Sequence, residues 1–420
     1  MTHRTFSRGE FLALSGLLAG SSLLPRGANA ATPKPLPSSS PKAASANGAK
    51  AAPPPGPSRE ETEKLRRACR ASLPLGFSLD DGSELIRIGE WMKRQGVQGD
   101  LYGNSDFIQA FEQRIARLLG FEDGCYMPTG TMGQLIALRM YADASGNRNV
   151  GVHPSSHHVL HEDDSYTVLH GLRAVQLSPW SRPVLAEDVR EARDALGVVS
   201  VELPVRWLGG QLQTWDQLEE LKHTCRERGI KLHMDGARLW ESQPYYGRSY
   251  ADICRGFDSV YVSFYKMVGA LGGAMVVGGR DFIRSARLWR HRHGGNIFQM
   301  TPYVASAAMR LDEALARIPG YVQRAKSLTE ALAADSRLTV LPRPVQTNLF
   351  RVFLRGDPAA LSRQRDRIAK EDGIWVAHGF SQTRVPGVVE TELQVSGDIA
   401  SVTDAEASRA FLRLLEPAAG

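Results

Sequence analysis

The chain reads His233-Met234-Asp235-Gly236-Ala237-Arg238 directly after a short apolar run, and this segment indicates an α/β architecture. The apolar run and the turn-forming Gly236 predict a β-strand at 230–234. Asp235 then stands at the carboxyl end of a strand, where open α/β sheets bind their ligands. A carboxylate there can pair with a protonated ring nitrogen, which a cofactor that serves as an electron sink requires. Arg238 follows at the same edge and can reach an oxygen of a cofactor or a substrate.

A lysine occupies the equivalent place after the next predicted strand, 259–264. Lys266 leaves this apolar strand for a turn that contains Gly269. A lysine amine in such a position can be shielded from water, which lowers its pKa and makes it a nucleophile able to form a Schiff base. Most single lysines are solvated surface charges, but the carboxylate and the arginine predicted at the same edge favour a catalytic lysine here.

Two further features are predicted at the same edge of the sheet. Pro128-Thr129-Gly130-Thr131 lies between a predicted strand at 125–127 and a helix, where small residues and the helix N-terminus can hold an anion. His157 lies in a segment, 153–170, that contains five of the eleven histidines, and its imidazole can stack on a cofactor ring or act as a base. Because this segment has no cysteine and no HExxH pattern, we predict no metal site, although His157 and His161 are spaced like zinc ligands.

Short apolar runs alternate with helical patterns along the chain, which is typical of a mostly parallel sheet covered by helices on both faces. Further strands are predicted at 198–201 and 274–277, and near 349–353, 374–377 and 392–395. Helices are predicted at 214–228, from 303 to about 334 and at 404–415, and Ser105 or Asp106 caps another. The fold class is therefore α/β.

In their order, these features resemble the threonine aldolase and β-eliminating lyase group of fold-type-I pyridoxal-phosphate (PLP) enzymes. The resemblance runs from about Ser78 to the C-terminus and includes Gly99-Asp100-Leu101-Tyr102-Gly103. Its specific part is Asp235-Gly236-Ala237-Arg238, followed about thirty residues later by Lys266. The resemblance implies the fold of PLP-dependent transferases, with a mostly parallel seven-stranded sheet in a large PLP-binding domain and a smaller C-terminal α+β domain. The expected bounds are 58–310, including an N-terminal arm, and 311–420.

The resemblance also implies residue roles, with pyridoxal 5'-phosphate as the cofactor. Lys266 resembles the lysine that forms the aldimine with the cofactor, Asp235 the partner of the pyridinium nitrogen, and His157 the imidazole that lies over the ring. Gly130 and Thr131 resemble the phosphate ligands. The residues implied for the substrate are Tyr102, Arg206, Arg384 and Arg238, the last of which also lies beside the cofactor.

The implied activity is that of a carbon–carbon lyase, which cleaves a β-hydroxy-α-amino acid into glycine and an aldehyde. Three departures from the family pattern concern the phosphate and the substrate. Glu202-Leu203-Pro204-Val205-Arg206 stands where threonine aldolases usually have Glu-Asn-Thr-His-Asn, so a second active-site histidine is missing. Phe298 stands where relatives have an arginine that reaches the phosphate of a neighbouring subunit, and the arginine that usually binds the substrate carboxylate falls near Leu393.

Two alternatives stay open. One, which the missing histidine suggests, is a PLP-dependent β-eliminating lyase or amino-acid racemase. The other is a non-catalytic exported binding protein of the same fold.

Composition and charge exclude other classes of protein. The chain has 420 residues, of which 42% are hydrophobic and 23% charged, as in a globular protein with a sizeable core. Residues 1–57 contain six Lys and Arg against one Glu and so hold +5 of the net charge of +6. The remainder is almost neutral and lacks the basic surface that nucleic-acid binding needs. The expected partner is a small amino-acid substrate, and the resemblance implies a homodimer or homotetramer.

The N-terminus has the features of an export signal. Two arginines precede an apolar stretch, 11–24, that is followed by Ala28-Asn29-Ala30, a pattern that signal peptidases cut. The stretch is too short for a stable membrane span, which takes about 20 residues. We predict a signal at 1–30, a disordered Pro/Ala/Ser-rich tether at 31–57 and export to the periplasm. A cytoplasmic protein with an amphipathic start is the alternative.

One substitution tests the route of export. The segment Ser7-Arg8-Gly9-Glu10-Phe11-Leu12 resembles a twin-arginine leader with one arginine missing, and that pathway carries folded proteins that already hold their cofactor. If this route is used, Arg8→Lys will trap yellow, folded protein in the cytoplasm, which the visible absorbance of the cell fractions measures. Unchanged export of the Arg8→Lys protein would contradict the twin-arginine route and favour the ordinary secretory route, which a leader with one arginine leaves open.

Overall fold

A seven-stranded sheet stands at the centre of the structure, a computed structural model that describes residues 58–76 and 82–416. The predicted export signal at 1–30 and the predicted tether at 31–57 lie outside the described residues. In the two described ranges, no helix combines the length and the apolar character that crossing a membrane requires.

Strands and helices alternate through most of the described residues. The thirteen strands in these ranges are β1 (Ala71–Ser72), β2 (Asp123–Met127), β3 (Asn149–Val152), β4 (Arg173–Gln176), β5 (Val198–Glu202), β6 (Lys231–Gly236), β7 (Ser259–Ser263), β8 (Ala274–Gly278), β9 (Thr339–Leu341), β10 (Leu349–Arg355), β11 (Ile374–Trp375), β12 (Ser381–Gln382) and β13 (Val388–Gln394). The fourteen α-helices are α1 (Arg59–Ala68), α2 (Ser83–Gln95), α3 (Asp106–Leu119), α4 (Gly130–Ser145), α5 (His157–Leu160), α6 (Ser165–His170), α7 (Ala186–Arg190), α8 (Trp215–Glu227), α9 (Gln243–Tyr246), α10 (Tyr250–Cys254), α11 (Arg280–Arg292), α12 (Thr301–Ala333), α13 (Pro358–Asp372) and α14 (Asp404–Leu412).

The central sheet has the strand order β2-β8-β7-β6-β5-β3-β4. Only β8 runs antiparallel to its two neighbours, so the other six strands share one direction. The carboxyl ends of β2, β3, β5, β6 and β7 therefore lie at one edge of the sheet, which positions the residues that follow them. The α/β class with a mostly parallel seven-stranded sheet is confirmed.

Helices cover both faces of this sheet, which explains why its strands are apolar at successive positions. Val260 and Val262 of β7 belong to a core that also contains Phe111 of α3 and Leu221 of α8. Tyr261, between the two valines, belongs to a different core on the opposite face. This alternation follows from the two-residue period of a strand.

A second sheet, β12-β13-β10-β9, is entirely antiparallel and lies in the C-terminal part of the chain. The long helix α12 contributes to two cores, since Leu311 and Ile318 belong to the core of the central sheet, whereas Leu328 and Leu332 belong to that of the second sheet. The change from one core to the other thus falls inside α12. The predicted domain boundary between residues 310 and 311 stays a prediction.

Candidate active site

The carboxyl ends of the parallel strands enclose a polar cavity. Six of the predicted site residues line it, namely Thr131, His157, Arg206, Asp235, Arg238 and Lys266. The lining residues for which no role was predicted are Gln134, Ser155, His161, Glu202, Trp207, Ala237, Tyr261 and Tyr265. The fold therefore brings together side chains that are up to 135 positions apart in the chain, from Thr131 to Lys266.

Asp235 lies near the end of β6 and is buried. One of its carboxylate oxygens accepts a hydrogen bond from the Gln134 side-chain amide at 3.1 Å, and the other accepts one from the backbone N–H of Ala237 at 3.1 Å. Both contacts fix the orientation of the carboxylate without neutralising its charge. Asp235 can therefore present a negative charge to a cationic ring.

Lys266 lies in the loop between β7 and β8, and this loop is held by aromatic packing. Phe264 is fully buried, with its ring 5.4 Å from that of Phe111 and stacked 6.0 Å from that of Tyr126. Tyr126 also donates a hydrogen bond from its hydroxyl to the backbone oxygen of Gly272 at 2.9 Å. Gly273 has a φ of +86°, and a Cβ there would lie 1.7 Å from the Tyr126 hydroxyl, so the position requires glycine.

The Lys266 amine is surrounded by compensating charges. Burial, together with the charge of Arg238, lowers the pKa of Lys266 to about 8, although Asp235 and Glu202 oppose this shift. An appreciable fraction of the amine is therefore neutral near neutral pH. Only the neutral amine can attack a carbonyl carbon. The lowered pKa of Lys266 therefore favours imine formation by its amine.

Arg238 and Glu241 follow β6 and are both buried. The Arg238 Nε atom and the Glu241 Oε2 atom each lack a hydrogen-bond partner among the described residues. Burial raises the pKa of Glu241 to about 7, with the charge of Arg238 acting against the shift. Arg238 lines the cavity, so its guanidinium can donate hydrogen bonds to a bound molecule.

The start of α4 forms the predicted anion site. Thr129 caps the helix, since its hydroxyl accepts a hydrogen bond from the backbone N–H of Met132 at 3.2 Å. A Cβ on Gly130 would lie 2.1 Å from the Tyr261 hydroxyl, so only glycine allows this close approach. The free N–H groups of the first helical turn, with Thr131 lining the cavity, can bind a phosphate.

His157 opens α5 and lines the cavity, with 41% of its side chain exposed. Its Nδ1 atom lies 2.9 Å from Oε1 of Glu162, a buried residue that had no predicted role. The opposite ring nitrogen, Nε2, makes no hydrogen bond to the described residues. This arrangement suits an imidazole that accepts a proton from a bound molecule.

Glu202 is a site residue to which the sequence assigned no role beyond its place in a motif. It ends β5 and is the register partner of Asp235 on β6. Burial and the neighbouring charge of Asp235 raise the pKa of Glu202 to about 7. One of its oxygens accepts a hydrogen bond from the backbone N–H of Arg206 at 3.0 Å, whereas Oε2 lacks a partner among the described residues.

Arg206 lines the cavity, but its charge is already paired. Its Nε atom donates to both carboxylate oxygens of Glu392, at 3.0 and 3.1 Å. Arg351 binds the same carboxylate at 3.2 Å, and Leu393, the next residue, is fully buried in the core. Leu393, near which the resemblance placed the missing carboxylate-binding arginine, is therefore a core residue beside an acidic one.

Two residues that the resemblance implied for the substrate lie outside the lining of the cavity. Tyr102 is 56% exposed, and its ring meets that of Phe298 edge to face at 5.4 Å. Arg384 is exposed, with its guanidinium 6.0 Å from the ring of Trp180. Within a single chain, the structure does not bring either of them to Lys266, and their role stays a prediction.

The residues present fit PLP. Lys266 can hold the aldehyde carbon, Asp235 can pair with the ring nitrogen and the start of α4 can bind the phosphate. The guanidinium of Arg238, which lines the cavity, can donate to an oxygen of the cofactor or of the substrate. For a metal, the described residues contain no group of three or more His, Cys, Asp or Glu side chains in a suitable arrangement.

Comparison with known proteins gives the same picture. Residues 90–356 match the family model described as beta-eliminating lyase. The chain is 26% identical over 304 residues to a probable low-specificity L-threonine aldolase of Arabidopsis thaliana, which covers 68% of this chain and 83% of the relative. It is 28% identical over 239 residues to the low specificity L-threonine aldolase of Escherichia coli K12, which covers 54% of this chain and 70% of the relative.

A solved structure agrees over nearly its whole length. The crystal structure of a Listeria monocytogenes EGD-E protein, described provisionally as an L-allo-threonine aldolase, superimposes with a TM-score of 0.78. The two chains are 32% identical, and the superposition covers 84% of this chain and 98% of the other.

The lowered pKa of Lys266 predicts a specific pH dependence of cofactor uptake. As the pH rises through about 8, the amine loses its proton and becomes nucleophilic. Covalent uptake of PLP by cofactor-stripped protein, trapped with borohydride and located by mass spectrometry, should therefore rise at Lys266 with a midpoint near pH 8. Lys93 serves as the internal control, because its side chain is exposed and does not line the cavity. Uptake at Lys266 that follows the profile of Lys93 would contradict the prediction.

Proposed function

Because the chain belongs to the beta-eliminating lyase family, we propose that it is a PLP-dependent carbon–carbon lyase that splits a β-hydroxy-α-amino acid into glycine and an aldehyde. The proposal is carried by one observation, the placement of Lys266, Asp235 and His157 around a single cavity. The relatives named above are threonine aldolases, which favours aldol cleavage over the β-elimination and racemisation that the sequence left open.

The chain's own residues hold and polarise the cofactor. When bound, PLP supplies the electron sink that accepts the electron pair of the bond broken at the substrate Cα. Lys266 provides the amine for its covalent attachment, and Asp235 keeps the ring nitrogen protonated by its negative charge. The start of α4, from Gly130, orients the phosphate through backbone N–H groups.

His157 and Arg238 act on the substrate. The lone pair of His157 Nε2 accepts the proton of the β-hydroxyl group, whose oxygen then becomes the aldehyde oxygen. Arg238 holds the substrate carboxylate, because its side chain lines the cavity whereas Arg206 is already bound to Glu392. Lys266 and Asp235 bind the cofactor. His157 therefore serves the β-hydroxyl group of the substrate, and Arg238 serves its carboxylate.

A stack of planar groups closes one side of the cavity. The rings of His161 and Trp207 are nearly parallel, with centroids 5.8 Å apart, and the guanidinium of Arg351 lies 4.3 Å from the centroid of the Trp207 ring. Trp207 also donates its indole N–H to Nε2 of His161 at 3.1 Å. His161 and Trp207 both line the cavity, and the His161 ring lies 5.3 Å from that of His157.

We further propose that the chain forms a homodimer or a homotetramer. Leu101, Tyr102 and Phe298 are large apolar residues whose exposed fractions are 58%, 56% and 58%. The Tyr102 and Phe298 rings are in contact, and Leu101 precedes Tyr102 in the chain. Clustered apolar groups of this kind are a mark of an interface between subunits.

The assembly is tested by the mass in solution. We expect light scattering to give two or four times the chain mass. The Tyr102→Ser/Phe298→Ser double variant should lower the measured mass toward that of a single chain, because it removes apolar interface area. Leu288→Ser, at an exposed position on α11, should leave the mass unchanged. A single-chain mass for the unsubstituted protein would refute the assembly.

The reaction is tested by incubating the purified protein with threonine and with phenylserine. We expect glycine together with acetaldehyde or benzaldehyde, measured by chromatography. Lys266→Ala should abolish this turnover because it removes the amine that attaches the cofactor, whereas Lys93→Ala should not affect it. Formation of ammonia or of an inverted amino acid, without glycine and aldehyde, would show that the chain is an eliminating lyase or a racemase.

A further inference from the structure

Glu162 is a buried carboxylate that holds two imidazoles at once. Its side chain is only 1% exposed, and its two oxygens point to different rings. Oε1 lies 2.9 Å from Nδ1 of His157, and Oε2 lies 3.3 Å from Nδ1 of His158. Ser165 donates a third hydrogen bond, from its hydroxyl to Oε2 at 3.2 Å.

The ionisation of Glu162 decides the direction of these hydrogen bonds. Burial opposes ionisation, but the hydrogen bonds from His157 and His158 outweigh it and hold the pKa of Glu162 well below its usual range. An ionised carboxylate can only accept hydrogen bonds. Both imidazoles must therefore carry their proton on Nδ1 where they face Glu162.

For a neutral His157, a proton on Nδ1 leaves the lone pair on Nε2. Nδ1 is turned to Glu162, and the residue itself lines the cavity. The Nε2 atom, at the other side of the ring, is then the only ring nitrogen able to accept a proton. A neutral His157 with the proton on Nε2 instead would have no lone pair on the side of the cavity and could not act as a base there.

The partners of Glu162 keep the carboxylate in place. His158 is buried, and although burial acts to lower its pKa, the hydrogen bond and the charge of Glu162 raise it. Because His158 and Ser165 both bind Oε2, the carboxylate cannot rotate without losing two hydrogen bonds. Oε1 is thereby kept for His157 alone.

We propose that Glu162 is the positioning residue of the reaction, which fixes His157 in the Nδ1–H tautomer and so leaves Nε2 to take the proton of the substrate's β-hydroxyl. The O–H bond breaks, and its proton moves to Nε2. Its electron pair forms the second carbon–oxygen bond of the aldehyde, while the Cα–Cβ pair stays with the carbon that becomes glycine. Glu162 remains ionised throughout and stabilises the imidazolium. The catalytic part of this role rests on the proposed aldol cleavage, whereas the tautomer does not.

The tautomer can be measured without any activity assay. We expect long-range ¹H–¹⁵N correlation spectra of the holoenzyme, labelled at histidine nitrogens, to show His157 as the Nδ1–H tautomer. The His157→Gln spectrum identifies the signal by its loss. An Nε2–H tautomer in the unsubstituted enzyme would overturn the proposal, even if every Glu162 variant failed to fold.

The catalytic consequence is tested with Glu162→Gln, which keeps the size of the side chain but adds N–H donors. We expect kcat for phenylserine cleavage to fall about 100-fold or more, the magnitude of a lost general base, with little change in KM or in the visible spectrum of the bound cofactor. Asp163→Asn is the matched control, because Asp163 is the neighbouring carboxylate and is exposed. The kcat of this variant should stay within about twofold of that of the unsubstituted enzyme.

A third variant separates positioning from mere structural support. Glu162→Asp keeps a carboxylate, which only accepts hydrogen bonds. Its kcat should therefore be at least about tenfold higher than that of Glu162→Gln. Two results for Glu162→Gln would overturn the proposal. One is a kcat within about threefold of that of the unsubstituted enzyme. The other is a raised KM and a loss of bound cofactor that accompany the fall in kcat. If neither the unsubstituted enzyme nor Asp163→Asn forms glycine, the proposed reaction is wrong, and the tautomer measurement still decides the role of Glu162.

Discussion

The carboxylates of Asp235 and Glu202 and the amine of Lys266 line one cavity at the end of a parallel sheet, and the chemistry of the site follows from how their charges compensate. Glu202 and Asp235 are register partners on adjacent strands, and such strands lie about 4.8 Å apart. Burial, together with the negative charge of Asp235, raises the pKa of Glu202 to about 7. Asp235 itself accepts two hydrogen bonds, from the Gln134 amide and from the backbone N–H of Ala237.

The departures from the family pattern are connected in the structure. Glu392 pairs with Arg206, which belongs to the segment that lacks the second histidine, and also with Arg351. Leu393, near the place of the missing carboxylate-binding arginine, points into the core on the opposite face of the same strand. The ion pair between Arg206 and Glu392 therefore links the two segments in which the chain departs from the family pattern. Under the proposed function, His157 is the base and Arg238 the carboxylate ligand, and Glu162 holds the imidazole of His157.

Much of the fold could be predicted because local pattern and tertiary packing agree. The predicted strands at 198–201, 230–234, 259–264 and 274–277 correspond to β5–β8 with shifts of at most two residues at either end. The predicted strand at 392–395 was too short, because the polar residues Glu390 and Glu392 interrupt the apolar pattern of β13 and are stabilised by Arg351. Strands β3 and β4 were not predicted, since each has only four residues and β4 is an edge strand of mostly exposed or half-buried residues. The predicted last helix ends at Leu412, and a 3₁₀ turn covers Arg413–Leu415.

Asp235 and Lys266 were identifiable from the chain alone. Both stand at or just beyond the end of an apolar strand, and the end of a buried strand can be read from composition and turn residues. Partners brought together over long separations were not. No local signal pairs Arg206 with Glu392, 186 positions away, or turns Leu393 into the core. The tautomer of His157 and the acidity of Glu202 likewise depend on burial and on the atoms that face each group. Those quantities arise only when the chain has folded, since the energy of a charge is determined by its three-dimensional surroundings rather than by its neighbours in sequence.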